Sequence, residues 1–174
     1  MKSKSIKLTG NSYAVLALLA EFGDSTSYEI KQWLERSIEN FWPVPHTTAY
    51  EEPARLASAG YLASRQEEGG RRRRVYTLTG KGREVLAEWA ATPGATPPQL
   101  RDEAMLKVFA GADPMALARE RREWHESKLA ELSGYLETVR QNEGYSASEP
   151  TLVGGISYHR AMLELLDRLE QDRG

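Results

Sequence analysis

Arg71, Arg72, Arg73 and Arg74 stand side by side behind Gly69-Gly70 and run directly into Val75-Tyr76-Thr77-Leu78-Thr79. A guanidinium is always charged and can bond two oxygens at once, so four in a row could clamp the phosphates of a polyanion. They also repel one another, and taken alone the run reads equally as a solvated charged loop. Residues suited to other chemistry do not assemble. Asp102-Glu103 is a carboxylate pair, yet neighbours on a helix point about 100° apart, which fits a solvated helix start rather than an acid-base pair. His46, His125 and His159 have no ligand-like spacing. Zero cysteines exclude thiol catalysis, disulfides and thiolate metal sites. No nucleophile motif or phosphate loop is present, so the chain is expected to be no enzyme and to hold no cofactor or metal.

The elements that must position the arginines can be read outward from them. Tyr61 to Gln66 and Arg73 to Leu78 are short and rich in β-formers, and the glycine pair between them suits a tight turn. Upstream, Thr9 can cap a helix of about 10–22 that is apolar nearly all round, ended by Gly23-Asp24-Ser25. Thr26 and Glu29 form a capping box for a second helix, with Tyr28, Ile30, Leu34 and Ile38 near one face. Phe41-Trp42-Pro43-Val44-Pro45 is an extended connector. Thr48 and Glu51 make a second capping box, for a third helix of about 47–58 with Gly60 as its stop. On it Tyr50, Pro53, Ala54 and Ala57 share one face and Thr48, Glu51, Glu52 and Arg55 the other. Pro53 should kink that helix or split it into two turns. A fourth helix, about 80–90, turns Val85, Leu86 and Trp89 inward.

Three short helices, a two-stranded wing and a helix form a winged helix-turn-helix, in which the third helix enters the major groove and the wing meets the backbone. In this context the arginines read as a phosphate grip, and Thr47, Thr48, Tyr50 and Arg55 join Arg71 to Arg74 as the DNA-binding residues. Charge agrees: residues 1–89 carry 13 Lys+Arg and 11 Asp+Glu, residues 90–174 carry 10 and 14, so only the first half is net positive. Glu51 and Glu52 lie on or beside the presumed DNA face, where a carboxylate can accept from a cytosine N4 but otherwise repels phosphate. With 40% hydrophobic and 28% charged residues the chain reads as a globular protein. The longest apolar run, Tyr13 to Ala20, is too short for a bilayer span, and the N-terminus lacks a signal-like cleavage site. A cytoplasmic protein without membrane contact is expected.

Residues 91–100 are a proline-rich linker, which separates a domain of residues 1–90 from one of residues 101–174. The second domain reads as all-helical, with a long helix from Pro114 to about Asn142, a break from Gly144 to Gly155, and a last helix of about 156–171. Leu129, Leu132, Leu136 and Val139 follow a 3-4-3 spacing, and extending it backwards adds His125, Arg122, Ala118 and Met115. The last helix carries an apolar sector including Met162 and Leu166. These six aliphatic residues, Leu129, Leu132, Leu136, Val139, Met162 and Leu166, would face either a neighbouring helix of the same chain or a second chain in a homodimer. Leu117, Trp124 and Tyr135 could line a cavity for an aromatic effector, or be plain packing.

The chain resembles the PadR family of bacterial regulators, named for control of phenolic acid decarboxylase. The resemblance is carried by Ser27-Tyr28-Glu29-Ile30, Phe41-Trp42-Pro43, Tyr50 with Leu56 and Ala59-Gly60-Tyr61-Leu62, and Gly70 to Arg73 leading into Val75 to Gly82. Arg101 to Lys107 and Gly155 to Met162 resemble the signatures of the longer subgroup, which has its own C-terminal helical domain. The resemblance implies a fold that is mainly α, with an N-terminal winged helix-turn-helix and an all-helical dimerisation domain. It further implies a homodimeric repressor that reads a palindromic operator in double-stranded DNA and in many relatives lets go when a small aromatic molecule binds. The alternative is a winged-helix protein-interaction module that has lost base reading through Pro53 and the acidic pair.

Overall fold

A computed structural model describes residues 6–67, 73–93, 97, 99–141 and 146–171. The chain divides into two compact units, Met1–Gly94 and Ala95–Gly174.

The first unit is built on α1 (Gly10–Phe22). Thr9 caps it in a box with Ser12, and Val15, Leu16, Leu18 and Leu19 are buried, so it is the central helix of this unit. Next comes β1 (Ser25–Thr26), which leads straight into α2 (Ser27–Trp33), continued as a π-helical segment Leu34–Ile38. The expected Thr26–Glu29 capping box is present: the Glu29 carboxylate accepts from the Thr26 amide at 2.7 Å. That bond and one to the Thr26 hydroxyl hold the Glu29 carboxyl below its usual range.

α3 (Thr48–Ser58) departs from expectation in three ways. Thr47, not Thr48, is the N-cap; its backbone is already helical and no side chain caps the helix. The chain enters through a turn closed by Thr48 N–H donating to the Pro45 carbonyl at 2.9 Å, which buries Thr48 in the first turn. Pro53 does not split the helix; it lies fully buried inside a single element. The inward face is Ala49, Glu52, Pro53 and Leu56, at i, i+3, i+4 and i+7, so the helix is rotated from the faces assigned by pattern alone.

β2 (Leu62–Gln66) and β3 (Arg74–Leu78) are the antiparallel arms of the wing, with Leu62 opposite Leu78 and Gln66 opposite Arg74. β1 pairs with the other edge of β3, placing Ser25 opposite Tyr76 and giving a three-stranded sheet, β1-β3-β2. The central position of β3 explains why Val75, Tyr76 and Leu78 are all buried. α4 (Gly80–Ala91) then packs Val85 and Leu86 on the core, whereas Trp89, expected inward, is half exposed and stacks on Tyr13 with centroids 4.5 Å apart.

The foot of α4 tests the packing. A Cβ on Gly82 would lie 2.3 Å from the Tyr61 carbonyl oxygen and 2.7 Å from Leu78 Cδ1. Gly82→Ala should therefore cost about 1–2 kcal/mol despite better helix propensity, read as a lower urea midpoint. Unchanged stability would mean that the wing and α4 separate freely.

The second unit contains α5 (Glu103–Phe109), α6 (Pro114–Gln141) and α7 (Ser148–Gln171). α7 starts well before residue 156, running through the expected break: Pro150 falls in its first turn, where no amide partner is needed, and Leu152 and Ile156 pack against Leu132. α6 and α7 form an antiparallel hairpin, with Arg140 bonded to Glu149 at one end and Arg122 to Asp167 at the other. Ala118, His125 and Leu132, seven residues apart, close its seam from α6; Leu152, Ile156, His159 and Leu166 close it from α7. The seam is thus filled within one chain. Leu132 and Leu166 are buried there, Leu129, Leu136 and Val139 pack beside Leu132, and Met162 is half buried, so of the two partners open to them the neighbouring helix of the same chain is the one seen.

Candidate nucleic-acid interface

On α3 the exposed side chains are Thr47 at the cap, Tyr50, Glu51 and Ser58, with Ala54 half exposed. Of the expected third-helix residues, Thr47 and Tyr50 are therefore free to meet a ligand. Thr48 is buried and Arg55 is turned inward, which corrects both. The Arg55 guanidinium grips Glu52 through Nε to Oε2 at 2.8 Å and Nη2 to Oε1 at 2.6 Å. It also donates to Ser12 Oγ at 2.9 Å and to the Lys7 carbonyl at 3.2 Å. Burial pushes the Glu52 carboxyl up, but the hydrogen bonds from Arg55 and Ser12 and the Arg55 charge outweigh it and leave it lowered. This cluster ties α3 to the N-terminal end of α1.

At the wing, Arg73 and Arg74 are exposed, and the ladder reaches past Gln66 through Glu67 N–H to the Arg73 carbonyl at 2.9 Å. Arg71 and Arg72 lie outside the described residues. An open groove of about 730 Å³ runs between the wing arm and the start of α2, lined by Thr26, Ser27, Tyr28, Arg73 and Arg74. Ser27 and Tyr28 are additions to the expected set; the signal for them is their place in the first helical turn after the Thr26 cap, where amides point outward. Tyr28 is exposed, accepts from Gln32 Nε2 at 3.3 Å, and with Tyr50 lies within electrostatic reach of Lys31. Two arginines, one phenol and the start of α2 thus bound one open groove.

In the second unit, Leu117 and Trp124 do share a cleft of about 680 Å³, with Leu100, Arg101, Lys107, Arg121 and Tyr158 among its lining. Tyr135 does not line it: its ring packs against the Leu132 cluster and its hydroxyl donates to Glu131. The Asp102-Glu103 pair is structural. Asp102 caps α5 and takes a two-pronged bond from Arg121, which holds its carboxyl down, and Glu103 pairs with Lys107. No group of three or more His, Cys, Asp or Glu side chains able to hold a metal occurs among the described residues. None of the described helices is long and apolar enough to cross a membrane.

Three helices, a small antiparallel sheet with a basic wing, and an exposed third helix define a winged helix-turn-helix of the DNA-binding regulator class. The chain matches the Transcriptional regulator PadR-like family over residues 15–88 and the Virulence activator alpha C-term family over residues 100–172. It is 27% identical over 146 residues to the Negative transcriptional regulator PadR of Bacillus subtilis (strain 168), covering 79% of this chain and 80% of that protein. The crystal structure of Bacillus subtilis PadR in complex with operator DNA superposes with a TM-score of 0.76 at 24% identity, covering 95% of this chain and 99% of that one. The same protein in complex with p-coumaric acid gives 0.67 at 22% identity, covering 94% and 96%. Over its first unit the chain is thus similar to PadR-like transcriptional regulators.

Proposed function

We propose that the protein is a homodimeric repressor that binds a palindromic operator and releases it when a small aromatic molecule occupies the C-terminal unit. The observation that carries the DNA reading is the groove lined by Arg73, Arg74, Ser27 and Tyr28, on the same unit that exposes Thr47, Tyr50 and Glu51 of α3. In this reading α3 enters the major groove, the wing arginines hold the flanking backbone, and Ser27 and Tyr28 meet a phosphate across the groove. The Bacillus subtilis relative bound to operator DNA supports it.

Dimerisation is assigned to α5 rather than to the α6–α7 seam. Leu106 is 64% exposed, Phe109 91% and the adjacent Leu100 69%, an apolar surface that one chain leaves uncovered. For the effector, the Trp124, Tyr158 and Leu117 side chains offer stacking and apolar contact, and Arg101 lies near enough to attract a carboxylate, while Arg121 and Lys107 are paired with Asp102 and Glu103. The relative solved with p-coumaric acid supports an aromatic acid as the class.

Mobility shift on the chain's own upstream DNA over a series of salt concentrations tests the proposal. Binding should weaken with salt, and Arg73→Ala/Arg74→Ala should flatten the slope of log K against log salt by about 0.9 per lost phosphate contact, roughly 3–4 for a dimer. An absence of salt-dependent binding would favour the interaction-module reading, for which the inward Arg55 is the one supporting observation.

A further inference from the structure

We infer that Glu51 sets the sequence preference of this regulator by accepting a hydrogen bond from the exocyclic amino group of a cytosine in each operator half-site, an inference that rests on the DNA reading proposed above. Winged helices commonly read guanine with arginine or lysine, because the guanine edge in the major groove offers only the acceptors O6 and N7. α3 cannot do so. Its basic residue among positions 48–58 is Arg55, and that guanidinium is committed to Glu52, Ser12 and the Lys7 carbonyl. Glu52 is consumed by the same cluster, whereas the Glu51 carboxylate is exposed and has no hydrogen bond or ion pair among the described residues. The charge that α3 presents to a groove is therefore a single acceptor.

An ionised carboxylate only accepts. It is repelled by guanine and by the thymine O4, and finds donors only at cytosine N4 and adenine N6. Adenine places the acceptor N7 next to that amino group and cytosine does not, so cytosine is preferred. The neighbours on the strip fit this division of labour. Thr47 and Tyr50 have hydroxyls that can donate or accept, and Ala54 offers a methyl for thymine, so none of them supplies a fixed charge. Attraction to the backbone then comes from the wing, and discrimination from a residue that by itself weakens binding to guanine and thymine.

Selection from randomised duplexes by the full-length protein tests this. Wild type should recover a two-fold symmetric site with cytosine at one fixed position in each half. Glu51→Gln, whose amide both donates and accepts, should shift that position towards adenine. Glu51→Ala should lose the preference there by roughly five- to tenfold, the equivalent of one good base contact, while the other positions and the melting temperature hold. If wild type selects a site and both variants select the same base at every position, the inference is overturned and the DNA-reading proposal stands. If wild type selects no sequence, both are overturned.

Discussion

Lowering the pH from 7 to 4 is expected to remove about 3 kcal/mol of stability from the α6–α7 hairpin. The source is the pair at mid-seam, where His125 Nδ1 and His159 Nδ1 lie 2.9 Å apart and both side chains are buried. One ring must donate and the other accept. His125 Nε2 is buried with no partner among the described residues; a bare lone pair there is cheaper than a stranded N–H, so His125 is the Nδ1–H donor and His159 the acceptor. Protonating His125 would create that stranded N–H. Desolvation, the neighbouring His159 and the Arg121 charge push its pKa down to about 4, with Asp102 acting weakly the other way. His159 is lowered too, by burial and by Lys128, and the Trp124 and Tyr158 rings wall the pair edge-on. A depressed histidine pKa means that the neutral form belongs to the fold. The contribution is whole above the unfolded value of 6.5, falls as the unfolded chain alone takes up protons, and is gone near 4. Urea titrations at several pH values should show the loss, and His125→Leu/His159→Leu, which keeps the seam apolar, should flatten the curve between pH 6.5 and 4. A double variant with the same slope as wild type would place the acid sensitivity elsewhere.

Arg55→Ala should cost about 2–3 kcal/mol and leave the selected DNA sequence unaltered. Removing one partner of a buried ion pair typically costs about 3–5 kcal/mol because the other charge is stranded. Here the Glu52 side chain is 12% exposed and that of Arg55 35%, so the lower end applies. The loss includes the bond to Ser12, whose own side chain is buried and shared with the Thr9 cap of α1. A double-mutant cycle separates the terms. Glu52→Leu/Arg55→Leu removes both charges and should be closer to wild type than Arg55→Ala, since nothing charged is left desolvated. If instead Arg55→Lys changed which sites are selected while stability held, Arg55 would be a base reader after all.

What the sequence made legible follows from range. The α1 cap, the Thr26–Glu29 box, the wing arms and the limits of α6 depend on residues a few positions apart, and each was readable there. β1 was not: two residues, Ser25-Thr26, become a strand only because β3 lies beside them. The face of α3 was misjudged because Pro53 looks like a flaw when it is core, and because Arg55 looks like a ligand for DNA until its partners on α1 are known. The Asp102 carboxylate changes meaning in the same way once Arg121 is placed against it. Heptad spacing did place His125 on the seam, but only the antiparallel register of α7 brings His159 to it. The Gly154-Gly155 pair misled because the cost of glycine in a helix is local, whereas the burial of Leu152 and Ile156 that outweighs it is not.

The two-residue strand also sets an order of assembly. Pairing Ser25 with Tyr76 joins positions about fifty residues apart, so the ordering of that loop must be largely complete before the strand bond returns anything. The α6–α7 hairpin needs only neighbours in the chain and should form early. The third strand of the sheet therefore comes late, after α2 and α3 have already folded between its two ends.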